Sequence, residues 1–445
     1  MYYICKNEFN KKSYMSNLIN LFEYEKYEGE VDLTKIDLQY FKTEYKNGKN
    51  YLKAKQFVGV VQFGDTKICV YPKIYSDKNP DLKVAKVKEK VQMQSMQNFL
   101  FMMQYAYKIH NVKDYQTSVE HKKFDILEIL IYIFAKNLMD LLKVNLNRSY
   151  IIVEDDSNFL KGSWRISEQL SRMPHIKHRF LVSYDEFTEN NPLNRILKFV
   201  SFMLLRFSKN NFSRTLLQNI LLIYAEVDDI SKPGRTYLEL VKFNRMNQEF
   251  SSIFAFARMF LDKLAGDFSN IKHTNFSFMF DMNLLFEQFI AEFIRRENLI
   301  PQGLNMETQT ECRYLDIDKK AFMLKPDISF WENGTCKLII DTKYKLLDEM
   351  KNKSGENDQD EKYNGVSGKD AQQMYAYAKK YDCPRVVLLY PEILKTDNKV
   401  KNNICLSEFD FGDGKQLKIC TVDICRDLKN EKESLKDELL GILNG

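Results

Sequence analysis

Apolar residues recur at three- and four-residue spacing from Met93 to Lys108, from Asp125 to Leu142 and from Asp281 to Glu297. That period matches one face of a helix, so each stretch predicts a helix with a buried stripe. Other stretches have a different rhythm. In FVGVVQFGDTKICVY, two β-rich runs flank Gly64-Asp65, which predicts a hairpin with Asp65 in its turn. Apolar runs near 306–316, 321–331 and 336–346 predict three strands, and RVVLLYP predicts a fourth, with a helix over 368–381 before it. Thr188 followed by Glu189-Asn190-Asn191-Pro192 marks a helix entry, with Asn194 and Arg195 in its first turns.

These elements group into three regions: a small β-rich region over 1–85, a mainly helical one over 86–270, and helices packed on a mixed sheet over 271–445. The class is α/β. The insert DEMKNKSGENDQDEKYNGVSG is almost wholly polar and reads as a mobile loop. No repeat of fixed period is present.

Composition narrows the function classes only a little. The 445 residues are 44% hydrophobic and 13% aromatic, enough for real cores. The net charge of +5, from 66 basic and 61 acidic residues, permits a nucleic-acid partner without demanding one. Eight cysteines are scattered with no C-x-x-C pair, which argues against a zinc site or disulfide framework and for reduced, cytoplasmic thiols. The N-terminus lacks a secretory pattern. The greasiest stretches, FDILEILIYIFAKNLMDLLK and LLQNILLIYAEV, carry polar residues at helical spacing and fit buried helices, not membrane spans. No G-x-x-x-x-G-K-[ST] occurs, so nucleotide hydrolysis by a P-loop is not expected of this chain. His175 and His178 lack an acidic or cysteine companion and read as part of a basic exposed strip, Lys177-His178-Arg179, suited to DNA or a protein partner.

Candidate chemistry centres on a tripeptide that occurs twice. Asp65-Thr66-Lys67 falls in the expected hairpin turn, where a short polar side chain is a structural choice. Asp341-Thr342-Lys343 instead ends the apolar run Lys337-Leu338-Ile339-Ile340. On an extended chain Asp341 and Lys343 project to one side and Thr342 to the other. Lys325-Pro326-Asp327-Ile328 lies in the preceding run, and pairing the two as a hairpin brings Asp327 beside Asp341. Two adjacent carboxylates call for a cation. Hard oxygen donors suit Mg²⁺, with Mn²⁺ as a substitute, and the carbonyl of Thr342 is a further candidate ligand. Lys343 would orient a water or stabilise developing negative charge.

Glu287 stands at the margin of the buried stripe of its helix, and Gln373 and Tyr377 are one helical turn apart. Each has a plainer reading. Asp341 and Lys343 could be a strand-end ion pair, Glu287 a solvated acid, and Gln373 and Tyr377 an ordinary helix face. Asp370, three residues after Ser367, reads as a helix-start residue.

The order of elements favours chemistry: an acid-bearing helix, a Pro-Asp strand, a strand ending in Asp-x-Lys, and a Gln-x-x-x-Tyr helix. It resembles the PD-(D/E)xK nuclease superfamily. Within it the chain looks like the McrC family, the nuclease subunits of McrBC-type modification-dependent (5-methylcytosine) restriction systems. VGVVQFGDTKICVYPKI, FLKGSWRIS, VSYDEFTENNPLNRILKF and KPDISF with LIIDTKYK and DAQQMYAYA carry the likeness. The resemblance implies a C-terminal nuclease core and Mg²⁺-dependent cleavage of DNA in antiphage defence. Asp327 and Asp341 would bind metal, Lys343 would assist the water, and Glu287, Gln373 and Tyr377 would support the site. It further implies that the N-terminal part docks on a hexameric McrB-like AAA+ GTPase and stimulates it, consistent with the missing P-loop. A self-sufficient nuclease and a non-catalytic adaptor are the competing readings.

Overall fold

The β-rich runs around residue 64 pair as expected. The computed structural model describes residues 17–23, 26–28, 39–46, 49–63, 66–74, 85–109, 126–172, 178–264, 275–309, 313–316, 318–345, 362–363, 366–392 and 405–445. Strands β1 (Asn17–Phe22), β2 (Lys26–Glu28), β3 (Phe41–Lys46), β4 (Lys49–Ala54), β5 (Phe57–Phe63) and β6 (Thr66–Tyr71) open the chain. β5 and β6 run antiparallel with Phe63 opposite Thr66, and β1 adds parallel to β6. Asp65 itself lies outside the described residues. β2, β4 and β3 form a separate three-stranded sheet. Helix α1 (Ala85–Ala106) follows.

The next segment carries helix α2 (Ile126–Val144), strands β7 (Ser149–Ser157) and β8 (Ser163–Trp164), helix α3 (Ile166–Leu170) and strand β9 (Phe180–Thr188). Helices α4 (Pro192–Phe207), α5 (Asn211–Ile223), α6 (Arg235–Leu238) and α7 (Ser251–Lys263) complete it. The helix entry at Pro192 forms, with Asn191 as cap: its side chain accepts from the Asn194 N–H at 3.1 Å. Phe134 of α2 meets Phe256 and Phe260 of α7 edge-on, which seals the helical core.

This segment is less helical than its sequence suggests, because β7, β9 and β8 form a three-stranded antiparallel sheet. Most positions of β7 are half-buried or exposed, so no apolar alternation announces it. Part of the basic strip is described. Arg179 lies 3.7 Å from the Asp156 carboxylate and donates to the Asp156 carbonyl, so its charge is engaged within the chain. His175 and Lys177 lie outside the described residues.

The chain then returns to the first sheet. β10 (Asn275–Asp281) pairs antiparallel with β5, Met279 opposite Gly59. Gly59 has φ +146°, and a Cβ there would stand 2.0 Å from the Phe278 carbonyl oxygen, so this close approach needs glycine. Helix α8 (Met282–Arg296) follows directly, capped by the Asp281 carboxylate. Its Phe289 meets Phe101 of α1 edge-on, and its Phe293 packs tilted against Tyr105.

Strands β11 (Asn305–Thr308), β12 (Arg313–Asp316), β13 (Ala321–Leu324), β14 (Ile328–Glu332) and β15 (Thr335–Thr342) come next. Then come the two-residue strands β16 (Lys362–Tyr363) and β17 (Val366–Ser367), helix α9 (Gly368–Lys380), strands β18 (Arg385–Glu392), β19 (Cys405–Asp410) and β20 (Gln416–Asp423), and helix α10 (Lys432–Asn444).

A six-stranded mixed sheet has the order β11-β14-β15-β18-β20-β19. β15, β18 and β20 run parallel, while β11, β14 and β19 are antiparallel to their neighbours. Parallel neighbours need a crossover, and α9 supplies it between β15 and β18. Met374, Tyr377 and Ala378 of α9 pack on Ile339, Val386, Leu388 and Ile419 of the sheet.

The run expected to be one strand over 321–331 is two, because Lys325-Pro326-Asp327 interrupts it and Pro326 has no N–H to give to a ladder. The run expected over 306–316 likewise divides between β11 in the large sheet and β12, which forms a two-stranded sheet with β13. Most of the polar insert, 348–361, lies outside the described residues.

Two compact units result, residues 1–107 with 265–445 and residues 108–264. Among the described residues no helix is long and apolar enough to cross a membrane.

Candidate active site

The candidate residues converge where β14 begins and β15 ends. Ile328 stands opposite Ile340, so Asp327, one residue before, falls beside Asp341, one residue after. β15 is an interior strand, and Asp341 is also matched to Leu388 of β18. Asp341 is therefore 1% exposed, a carboxylate in the middle of a sheet. Asp327 is held by Thr342, whose N–H and hydroxyl both donate to its Oδ2 at 2.8 and 2.9 Å. Asp327 thus precedes β14 as a loop residue locked to the end of β15.

Lys343 Nζ lies 2.5 Å from Asp341 Oδ2, so the strand-end ion pair does form. Beyond that ion pair, the buried oxygen has no partner among the described residues. Burial pushes both aspartic carboxyls above their ordinary range, and for Asp341 the charge of Asp327 pushes further. Burial alone would lower the Lys343 ammonium, but Asp341 and then Asp327 reverse this and the net shift is upward. A lysine so placed stays charged.

Glu287 reaches the same cluster from α8. Burial first, then the charge of Asp327, raises its carboxyl to about 7, while a hydrogen bond from the Gln309 side chain pulls the other way. A purely solvated acid would feel none of this.

Gln373 and Tyr377 meet as their spacing implies. The Gln373 amide donates to the Tyr377 hydroxyl at 2.7 Å, and that hydroxyl donates to the Lys325 carbonyl at 3.1 Å. One turn on, Tyr381 donates to the Leu324 carbonyl at 2.9 Å. The helix thus grips the backbone immediately before Pro326-Asp327.

Two features escaped the sequence reading. Gln309 follows β11 in the left-handed region, φ 53°, and its N–H donates to the Asp327 carbonyl at 3.0 Å. The one residue therefore ties Glu287 to the backbone of Asp327. Thr308 opposite Ile328 makes this inevitable, but only once β11 is known to pair with β14. The second is a further acid–lysine pair: Lys345 Nζ lies 3.1 Å from Asp370, which also receives the Tyr390 hydroxyl at 3.4 Å. Ser367 is the cap of α9, and Asp370 is buried in its first turn, so Asp370 is a helix-start residue and part of the cluster at once. The available signal was Lys345 two residues beyond Lys343, on the same side of an extended chain.

The donor set fits a hard divalent cation. Burial first raises the carboxyls of Glu287, Asp327 and Asp341, and for Glu287 and Asp341 the charge of Asp327 adds to the rise, so a cation would relieve both costs. Among the described residues no three His, Cys, Asp or Glu side chains form a complete cage. A cation here would keep open positions for water and substrate oxygens, which is how Mg²⁺ is ordinarily held.

A family model described as "McrBC 5-methylcytosine restriction system component" matches residues 52–391, from β4 to β18 and across every candidate residue. The chain belongs to the McrBC restriction-component family. Two solved structures from Thermococcus gammatolerans are similar to this McrBC-family chain. One comes from the refined half-complex of a tetradecameric assembly of McrB AAA+ hexamers with bound McrC; at 20% identity and a TM-score of 0.61, the likeness covers 96% of this chain and all of that one. The other, from the cryo-EM structure of the McrBC complex, is 23% identical with a TM-score of 0.45 over 63% of this chain and 88% of that one. No curated protein matches the sequence. The first likeness supports the fold along nearly the whole McrBC-family chain.

Proposed function

We propose that this chain is the McrC-type nuclease subunit of a modification-dependent restriction system, a Mg²⁺-dependent endonuclease of PD-(D/E)xK type that cuts DNA when coupled to an AAA+ GTPase. One observation carries the chemistry: Asp327, Asp341 and Lys343 meet at the end of an interior strand with Glu287 facing them. Asp327 and Asp341, with the Thr342 carbonyl, would hold the cation. When bound, Mg²⁺ lowers the pKa of water and offsets charge growing on the phosphate.

The chain's own residues do the rest. Lys343, kept charged by its acidic neighbours, orients the attacking water or stabilises the non-bridging phosphate oxygens. Glu287, with a carboxyl titrating at about 7, can take up a proton at neutral pH. Thr342, Gln309 and the Gln373–Tyr377 pair hold Asp327 and its flanking backbone in place.

Membership in the McrBC family, and a fold shared with a chain solved alongside McrB AAA+ hexamers, support a hexameric AAA+ partner that this subunit stimulates. DNA is the substrate consistent with a restriction system. The test combines purified chain, Mg²⁺ and methylated plasmid, with and without the AAA+ protein and GTP. Cleavage is expected only with the partner, and Asp341→Ala should abolish cutting while leaving stimulation of GTP hydrolysis intact. Efficient cutting by the chain alone would replace the coupled reading with a self-sufficient nuclease. Stimulation without any metal-dependent cutting would leave a docking adaptor.

A further inference from the structure

Tyr344 lies between the two lysines of the cluster, yet it is 1% exposed and turned into the protein. Its ring packs on Phe286, the residue before Glu287, at 5.9 Å between centroids. Its hydroxyl donates to Glu23 Oε2 at 2.8 Å, a contact between residues 321 positions apart. Glu23 follows β1 directly and is itself 1% exposed. Its backbone N–H donates to the Tyr71 carbonyl at 3.0 Å, and Oε2 also accepts the Lys73 N–H at 3.0 Å. Glu23 Oε1 has no partner among the described residues.

A buried carboxylate with an unpaired oxygen is a costly way to satisfy one tyrosine hydroxyl and one backbone N–H. Burial lifts this carboxyl to about 7, with the nearby charge of Asp281 adding to the rise. Asp281 caps α8, the helix that carries Glu287. Glu23 therefore reaches both elements that supply the candidate site through Tyr344, which follows β15 and whose ring packs on Phe286 of α8.

We propose that Glu23 is a positioning residue for the nuclease site, holding Tyr344 so that Lys343 and the Phe286–Glu287 face keep their places. The seating of the first strand then governs cleavage by residues far along the chain. The proposal rests on the nuclease reading above.

The full chain with its AAA+ partner, GTP, Mg²⁺ and methylated plasmid provides the test, with Asp341→Ala as the reference. Tyr344→Phe removes one oxygen and keeps the ring on Phe286. It and Glu23→Ala should each lower kcat roughly tenfold at saturating Mg²⁺ and DNA, with KM for DNA unchanged, as expected for a small displacement of reacting groups. Glu23→Gln should stay within about twofold of the parent, because its one carbonyl oxygen can accept both hydrogen bonds as Oε2 does. Thermal unfolding of each variant separates the effect from lost fold. Should Glu23→Ala fail to fold, Tyr344→Phe decides alone. The proposal is overturned if Tyr344→Phe keeps the parent kcat, whether or not its melting temperature falls, or if Glu23→Gln is as poor as Glu23→Ala. An Asp341→Ala protein that still cuts would instead overturn the nuclease reading itself.

Discussion

The two Asp-Thr-Lys triplets of this chain sit at opposite ends of their strands. In the first, Thr66 and Lys67 begin β6 and stand opposite Phe63 and Gln62 of β5. In the second, Asp341 and Thr342 end β15, and the antiparallel neighbour approaches with Asp327. Both strands lie inside a sheet, so an interior position in the strand order does not separate the copies. What differs is the company: an acid just before the adjoining strand, another from α8, and a helix that grips the backbone before Pro326 through Tyr377. A triplet acquires chemistry from what the sheet register sets beside it.

The largest expected effect tests that contrast directly. Asp341→Ala should lower cleavage by at least roughly 10²-fold, as loss of a metal ligand or charge stabiliser does. Asp65→Ala should leave the rate unchanged. Equal losses would erase the distinction between the copies. Next comes Lys343→Met, for which a loss of roughly 10- to 10²-fold is expected against none for Lys67→Met. Lys343→Arg should recover little, since a planar guanidinium does not reproduce a compact ammonium beside Asp341. Steady-state cleavage of one plasmid substrate measures all of these.

How far the sequence reaches follows from the same contrast. The Asp327–Asp341 juxtaposition was legible because it needs only a hairpin between adjacent apolar runs, and side-chain alternation does the rest. The Gln373–Tyr377 contact was legible from helical spacing, although the backbone carbonyl it serves was not. Gln309 was hidden, because its role depends on β11 pairing with β14 across the large sheet. Glu23 was hidden more deeply: nothing near it in sequence resembles a site, and its partner is Tyr344. The β7–β9–β8 sheet was missed for another reason. Strands whose side chains are largely solvated carry no apolar period to read.

A smaller effect concerns protons and metal. In the metal-free fold the Glu287 carboxyl holds its proton up to about 7, whereas its unperturbed value is 4.5. Between these values the folded state binds more protons than the unfolded one, so this group's contribution to stability falls as pH rises through the window. Asp327 and Asp341 shift in the same direction. A cation competes with those protons. The melting-temperature gain on adding excess Mg²⁺ should therefore be greater at pH 8, on the order of 5 °C, than at pH 5. Asp65 belongs to a hairpin turn by its sequence, so Asp65→Ala should leave this pH-dependent gain intact. A gain independent of pH would mean that these carboxyls are not the ligands.

The smallest expected effect sharpens the comparison most, because it removes no charge. Gln309→Ala takes away the hydrogen bond to Glu287 while keeping the N–H that donates to the Asp327 carbonyl. Glu287 would then lose the Gln309 hydrogen bond that pulls its titration down, leaving burial and its acidic neighbours opposed by the charge of Lys325 alone and its carboxyl higher still. The cleavage rate should drop only several-fold at pH 8, on the order of one neutral hydrogen bond. The acid limb of the rate profile should move toward higher pH, so that the deficit widens as pH falls through 7. Loss of fold would lower the rate equally at every pH, so the slope of the deficit, not its size, identifies the effect. A deficit that stays constant across the profile would return Glu287 to the status of a half-buried helix acid. The second triplet would then rest on Asp327 and Lys343 alone.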